Sequence, residues 1–125
     1  MLIGFLVFNA GSFVIENSYD SAHKKAISTN KMLLVYLTKK NCVHCNRELM
    51  KIVQNKELSS LIDKKTVFVI VNEGQKESYP IELLYTREYP ALFFLDKYEL
   101  FNCKALEKVI EPKDIERCLD ETTGE

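Results

Sequence analysis

Two hydrophobic patterns alternate along this chain. Continuous apolar runs occupy residues 32–37 ("MLLVYL"), 66–71 ("TVFVIV") and 91–95 ("ALFFL"). Runs this short and this uniformly apolar predict strands buried on both faces of a sheet. Between them the apolar positions take a helical period. In "SYDSAHKKAISTNK" (18–31), Ala22, Ala26 and Ile27 fall on one side of a polar segment, Ser18 or Asp20 caps its start and Asn30 ends it. From Asn41 onward Cys45, Leu49, Ile52 and Val53 stand at i, i+4, i+7 and i+8, one stripe of an amphipathic helix, with Asn41 as candidate N-cap. A second helical piece covers 56–62. Pro80 suits the first turn of a short helix over 78–85. After the run at 91–95, "DKYE" (96–99) is a turn, and 100–106 folds back as an antiparallel partner. Pro112 opens a closing helix over 111–121, whose Ile115, Cys118 and Leu119 share a face.

The predicted order is helix, strand, helix, strand, helix, strand, strand, helix, with a further strand before the first helix as an option. Strands separated by a helix imply a parallel pair, and the last two strands form a hairpin. The fold class is therefore α/β, a mixed sheet covered by helices on both faces. With 125 residues the chain makes one domain and buries enough apolar surface to fold without a metal or a disulfide. Acids and bases are interspersed at a net charge of −1, so no basic stripe offers a nucleic-acid footprint. No apolar run reaches the length of a membrane-spanning helix, which excludes stable membrane insertion of the mature domain.

The first residues, "MLIGFLVFNAGSFVI", carry two readings. Residues 2–8 resemble the core of a signal peptide, with Ala10 and Ser12 at the −3 and −1 positions of a cleavage after Ser12. No Lys or Arg precedes that core, and residues 5–8 and 13–15 also read as strand. Residues 1–12 are expected to be a signal-peptide remnant or an N-terminal arm, and residues 13–125 the folded domain. The signal reading predicts an exported, periplasmic protein; the arm reading leaves it in the cytoplasm.

The candidate chemistry lies in "NCVHC" (41–45). A thiolate is the reactive form of cysteine, and Cys42 stands where a helix begins, among unpaired N–H groups and the positive end of the helix dipole, which favour negative charge. Cys45, one turn on, is near enough to close a disulfide and is shielded beneath the helix. His44 is the candidate tuning residue: a cation or N–H donor beside Cys42 would stabilise its thiolate and make the disulfide a stronger oxidant. Its alternative is a solvated side chain. Lys39 and Lys40 add positive charge to the same loop, as loop lysines commonly do without consequence. A structural zinc site asks for two close ligand pairs, and no second Cys-x-x-Cys is present, so no metal is assigned. Cys103 and Cys118 read first as two buried apolar thiols, with a structural disulfide or a second redox pair as alternatives.

A buried strand, a loop, a Cys-x-x-Cys opening a helix, and later an x-Pro just before another strand are here "MLLVYLTKKNCVHC" and "EYPALFFLD". This pattern resembles the thioredoxin-like superfamily, and the "SYDSAHKKAISTNKMLLVYL" stretch is similar to bacterial thioredoxin-related proteins, many of them exported. The resemblance covers roughly residues 13–120. It implies a thioredoxin fold with a central mixed sheet of four to five strands. It also implies a thiol–disulfide oxidoreductase that exchanges disulfides with protein thiols and a redox partner protein. Such an enzyme needs no cofactor beyond the Cys42–Cys45 disulfide. By the same resemblance Pro90 is cis and lies against the dithiol, with Tyr89 and Pro90 offering backbone to a substrate. The sequence departs from the family at three places. Tyr36 stands where thioredoxin has a buried Asp, Asn41 replaces the usual aromatic residue, and the dipeptide is Val-His. A glutaredoxin-like enzyme and a non-catalytic binding or chaperone module of the same fold are the alternatives.

Overall fold

The computed structural model describes residues 12–74, 79–80 and 83–121. Apart from Ser12, the arm or leader expected over residues 1–12 lies outside them. So does much of the short helix expected over 78–85; of its described residues, Leu83 and Leu84 donate backbone N–H bonds to the Pro80 carbonyl, both at 3.0 Å.

The elements are β1 (Ile15–Glu16), α1 (Tyr19–Thr29), β2 (Met32–Thr38), α2 (Val43–Val53), α3 (Lys56–Lys65), β3 (Thr66–Asn72), β4 (Ala91–Leu95), β5 (Phe101–Glu107) and α4 (Pro112–Glu121). They form one five-stranded sheet in the order β1-β3-β2-β4-β5. β3 pairs parallel with both β1 and β2, while β4 pairs antiparallel with β2 and with β5. The mixed sheet with helices on both faces is the expected architecture.

The uniform apolar runs have the predicted cause. Leu33, Val35 and Leu37 of β2 pack on one side with Tyr19, Ala22 and Ala26 of α1. Leu34 and Tyr36 pack on the other with Ile52 of α2, Leu58 and Ile62 of α3, and Ile115 and Leu119 of α4. Each such large side chain removed from water contributes about 1.5–3 kcal/mol, so the centre of the sheet is its most stable part.

Local signals set the helix ends. The Ser18 hydroxyl accepts the Ser21 N–H at 3.3 Å, and Asn30 ends α1 in the left-handed region at φ 57°. The buried stripe of α1 is Tyr19, Ala22 and Ala26; Ile27, expected on that face, is half exposed because it lies about 100° around the helix from Ala26. Asn41 does not cap α2. It takes φ 54°, a conformation Asn tolerates, and passes the cap to Cys42.

Cys103 of β5 and Cys118 of α4 are joined in a disulfide, with Cα atoms 5.9 Å apart. This corrects the reading of two free buried thiols: β5 and α4 pack together with the two side chains facing each other. The bridge closes a loop with a sequence separation of 15. Replacing both cysteines by alanine should therefore cost about 3 kcal/mol of stability, mainly by releasing the unfolded chain. Urea denaturation of the oxidised protein and the double variant checks this; equal midpoints would mean that the bridge adds no constraint.

Candidate functional site

β2 carries the chain to the site. Its register with β4 pairs Leu37 with Ala91, so the end of β2 and the start of β4 lie together. Residues 39–42 leave one, and Tyr89 and Pro90 lead into the other. The Tyr89–Pro90 peptide is cis. Lys39 Nζ sits 5.1 Å from the centre of the Tyr89 ring, joining the two loops.

Cys42 is the N-cap of α2. Its sulfur accepts the Cys45 backbone N–H at 3.0 Å, as an oxygen would in a serine cap. Cys42 and Cys45 form a disulfide with an S–S length of 2.05 Å and Cα atoms 5.2 Å apart. Cys42 is half buried and Cys45 is buried at 1% exposure. The open side of Cys42 faces a groove lined by Thr38, Lys39, Asn41, Val43, Asn46 and Asn72. Val43 is 71% exposed and forms an apolar rim.

Beneath the dithiol lies a polar arrangement that the apolar pattern did not reveal. The Tyr36 hydroxyl donates to the Cys45 carbonyl at 2.6 Å. Thus the residue that replaces the family's buried acid holds the first turn of α2 from below. Burial, and then the negative charge of Glu48, push its phenol well above the ordinary tyrosine range. Glu48 is the buried carboxylate of this region. It stands three residues after Cys45, on the inner stripe where Val53 had been expected; Val53 is 39% exposed. Glu48 accepts the Ile110 N–H at 2.8 Å and lies 2.9 Å from Lys51 Nζ. Burial alone would raise its pKa, but the Ile110 N–H and the Lys51 ammonium outweigh it and hold the carboxyl below its ordinary value. The signal for Glu48 in the sequence is an acid at i+3 from Cys45, inside an otherwise apolar stripe.

His44 is half buried. Nε2 lies 2.6 Å from the Lys108 carbonyl, and Nδ1 lies 3.4 Å from Arg47 Nη1. A carbonyl only accepts and a guanidinium only donates, so Nε2 carries the proton and Nδ1 is the acceptor. The sequence expects His44 to tune Cys42 as a cation or N–H donor; the partners of its ring nitrogens are Lys108 and Arg47. Among the described residues, no three His, Cys, Asp or Glu side chains gather to hold a metal ion, and no helix is long and apolar enough to cross a membrane.

The family described as Thioredoxin-like matches residues 14–97. No curated protein matches the chain. Solved structures share the fold at low identity. A thioredoxin from Thermus thermophilus is 16% identical with a TM-score of 0.69, over 88% of this chain and 86% of that one. A protein described as DsbH oxidoreductase is 17% identical with a TM-score of 0.66, over 89% and 88%. A disulphide isomerase from Xylella fastidiosa Temecula1 is 18% identical with a TM-score of 0.60, over 83% and 87%.

Glu48 gives this site a pH signature. Its folded pKa lies below its unfolded one, so its contribution to stability is complete above the ordinary carboxylate value and is lost as pH falls through the folded value. Glu48→Gln keeps an acceptor for Ile110 but removes the charge. The wild type should exceed it in stability at pH 7, and the gap should close on acidification. Glu48→Ala also strands the Ile110 N–H, at a further cost of about 1–3 kcal/mol. Urea midpoints of the three proteins from pH 7 to pH 3 check both statements; a gap constant with pH would remove the charge from the account.

Proposed function

This chain belongs to the thioredoxin-like family, and from that premise we propose that it exchanges disulfides with protein substrates, with Cys42 as the attacking sulfur and Cys45 as the resolving one. A thioredoxin-like chain whose Cys-x-x-Cys pair closes a disulfide is a thiol–disulfide oxidoreductase, and the pair itself carries the electrons. The observation that carries the assignment of roles is the cap of α2. The half-buried Cys42 sulfur receives the Cys45 N–H at the positive end of the helix, whereas Cys45 is enclosed. A thiolate on Cys42 gains from both the N–H and the dipole.

The reaction follows from this placement. The Cys42 thiolate attacks one sulfur of a substrate disulfide; that S–S bond breaks, a mixed disulfide forms, and the substrate's other sulfur leaves as thiolate. Cys45, deprotonated, then attacks the Cys42 sulfur, closing the 42–45 disulfide and releasing the second substrate thiolate. Run in reverse, the same steps oxidise a dithiol. The groove along Asn41 and Asn46 offers amide groups to a substrate backbone, and the cis Tyr89–Pro90 peptide leads into β4 at the same end of the sheet. The Cys103–Cys118 bridge supports an exported, periplasmic setting, since bridges away from a redox site persist in oxidising compartments.

Reduced protein treated with limiting alkylating agent and mapped by peptide should carry the label on Cys42 before Cys45. Insulin reduction should fall to background in Cys42→Ser. Cys45→Ser should accumulate the mixed disulfide, visible on a non-reducing gel. Label appearing first on Cys45 would exchange the two roles, and full turnover by Cys42→Ser would move the chemistry elsewhere.

A further inference from the structure

The backbone of Lys108, just past the end of β5, is bonded to both halves of the site. Its carbonyl accepts the His44 Nε2–H at 2.6 Å, and its own N–H donates to the Pro90 carbonyl at 2.7 Å. His44 belongs to the dithiol helix and Pro90 to the loop facing it, so one residue spans them. Lys108 takes φ 69°, in the left-handed region where a residue with a side chain is strained. Such a conformation persists only where its surroundings hold it, and here bonds on both of its backbone groups do so. Two residues on, Ile110 is fully buried and donates its N–H to Glu48, one helical turn below His44. The segment is thus stitched to α2 twice, by side chains at i and i+4.

The tautomer limits what His44 can do. With Nε2–H engaged by Lys108 and Nδ1 receiving Arg47, the neutral ring has no N–H left for the Cys42 sulfur. We propose that His44 is a positioning residue: through the backbone of Lys108 it fixes the start of α2, and with it Cys42, relative to Pro90, and so selects protein disulfides presented along residues 89–90. This rests on the reading of Cys42 as the nucleophile. A small disulfide reagent, which needs only the sulfur, is indifferent to the clasp. A protein segment that must touch both loops at once is not.

Glutamine separates positioning from charge, because its amide N–H reaches a carbonyl as His44 does but never carries a proton charge. The variants are His44→Ala, His44→Gln and Cys42→Ser in the full chain. The measurements are kcat/KM for insulin, the rate with 5,5′-dithiobis(2-nitrobenzoate), thiolate absorbance against pH, and hydrogen exchange of the Lys108 amide. His44→Ala should lower kcat/KM for insulin on the order of tenfold, since small misplacements of reacting groups have effects of this size or larger. It should leave the small-reagent rate within about twofold and speed exchange at Lys108. His44→Gln should restore insulin turnover and amide protection, with the thiolate titration unchanged in both. If Gln behaves as Ala does, with both shifting the thiolate titration and slowing the small reagent equally, His44 acts as a charge and the proposal is overturned. It is overturned too if neither variant alters insulin turnover. Cys42→Ser tests the underlying reading separately: it should lose both reactions whatever His44 does.

Discussion

Strand β2 is apolar on both faces and paired on both sides, and the placement of the Cys42–Cys45 pair follows from where it ends. Parallel pairing with β3 requires the chain to cross over after β2, and the crossover is made of α2 and α3. The first helical position after the strand therefore lies past the carboxyl end of the central strand, beyond its last buried residue, Leu37. Antiparallel pairing with β4 brings Pro90 to the same end. One hydrophobic strand thus delivers a helix N-terminus and a second loop to one end of the sheet. A charged substitution within residues 33–37 would disturb both cores and misplace the dithiol.

The layer under the dithiol shows how a buried phenol can stand where the family has an acid. Tyr36 fills the space with a ring and gives its single proton to the Cys45 carbonyl, and so holds the helix. The negative charge has moved from the strand to the helix, onto Glu48. There it is bonded to the Ile110 N–H and paired with Lys51, which keeps it ionised despite burial. A carboxylate satisfied in this way is a structural anchor at neutral pH, and its pull is on the segment after β5. The interactions that fasten that segment, through His44, Glu48 and Pro90, are polar and directional. Those that place the elements are apolar and are not. The hydrophobic cores bring the parts within reach, and the hydrogen bonds set their relative position.

This division explains what the sequence disclosed. β2, β3 and β4 were legible because burial on both faces leaves an unbroken apolar run, and the cysteine pair was legible because its spacing is a property of one helical turn. The N-cap was misplaced by one residue, because Asn41 is a good cap by type and only the geometry of the loop turns it left-handed. Ile27 was assigned inward because periodicity fixes a stripe's direction only to within about one residue, and Tyr19 supplies the third buried contact instead. Glu48 was missed, and the bridge at Cys103–Cys118 stood only as an alternative to two buried thiols, for another reason. Each depends on a partner brought close only by the finished fold, 62 residues away for Glu48 and Ile110. Hydrophobic period reports average burial and is silent on which polar group meets which.

The two disulfides show that position within a helix, more than the number of cysteines, separates reactive from inert sulfur. Each bridge joins a half-buried cysteine to a buried one, Cys42 to Cys45 and Cys103 to Cys118. Cys42 stands at the start of α2, where the dipole and a backbone N–H stabilise a leaving thiolate. Cys118 stands in the last turns of α4, where the dipole has the opposite sign and a thiolate is disfavoured, and Cys103 lies within a strand with no helix end to aid it. Exchange needs a sulfur that can leave as an anion, so these placements favour exchange at the first bridge over the second. A site whose thiols must cycle is thereby combined with a clasp whose thiols stay joined.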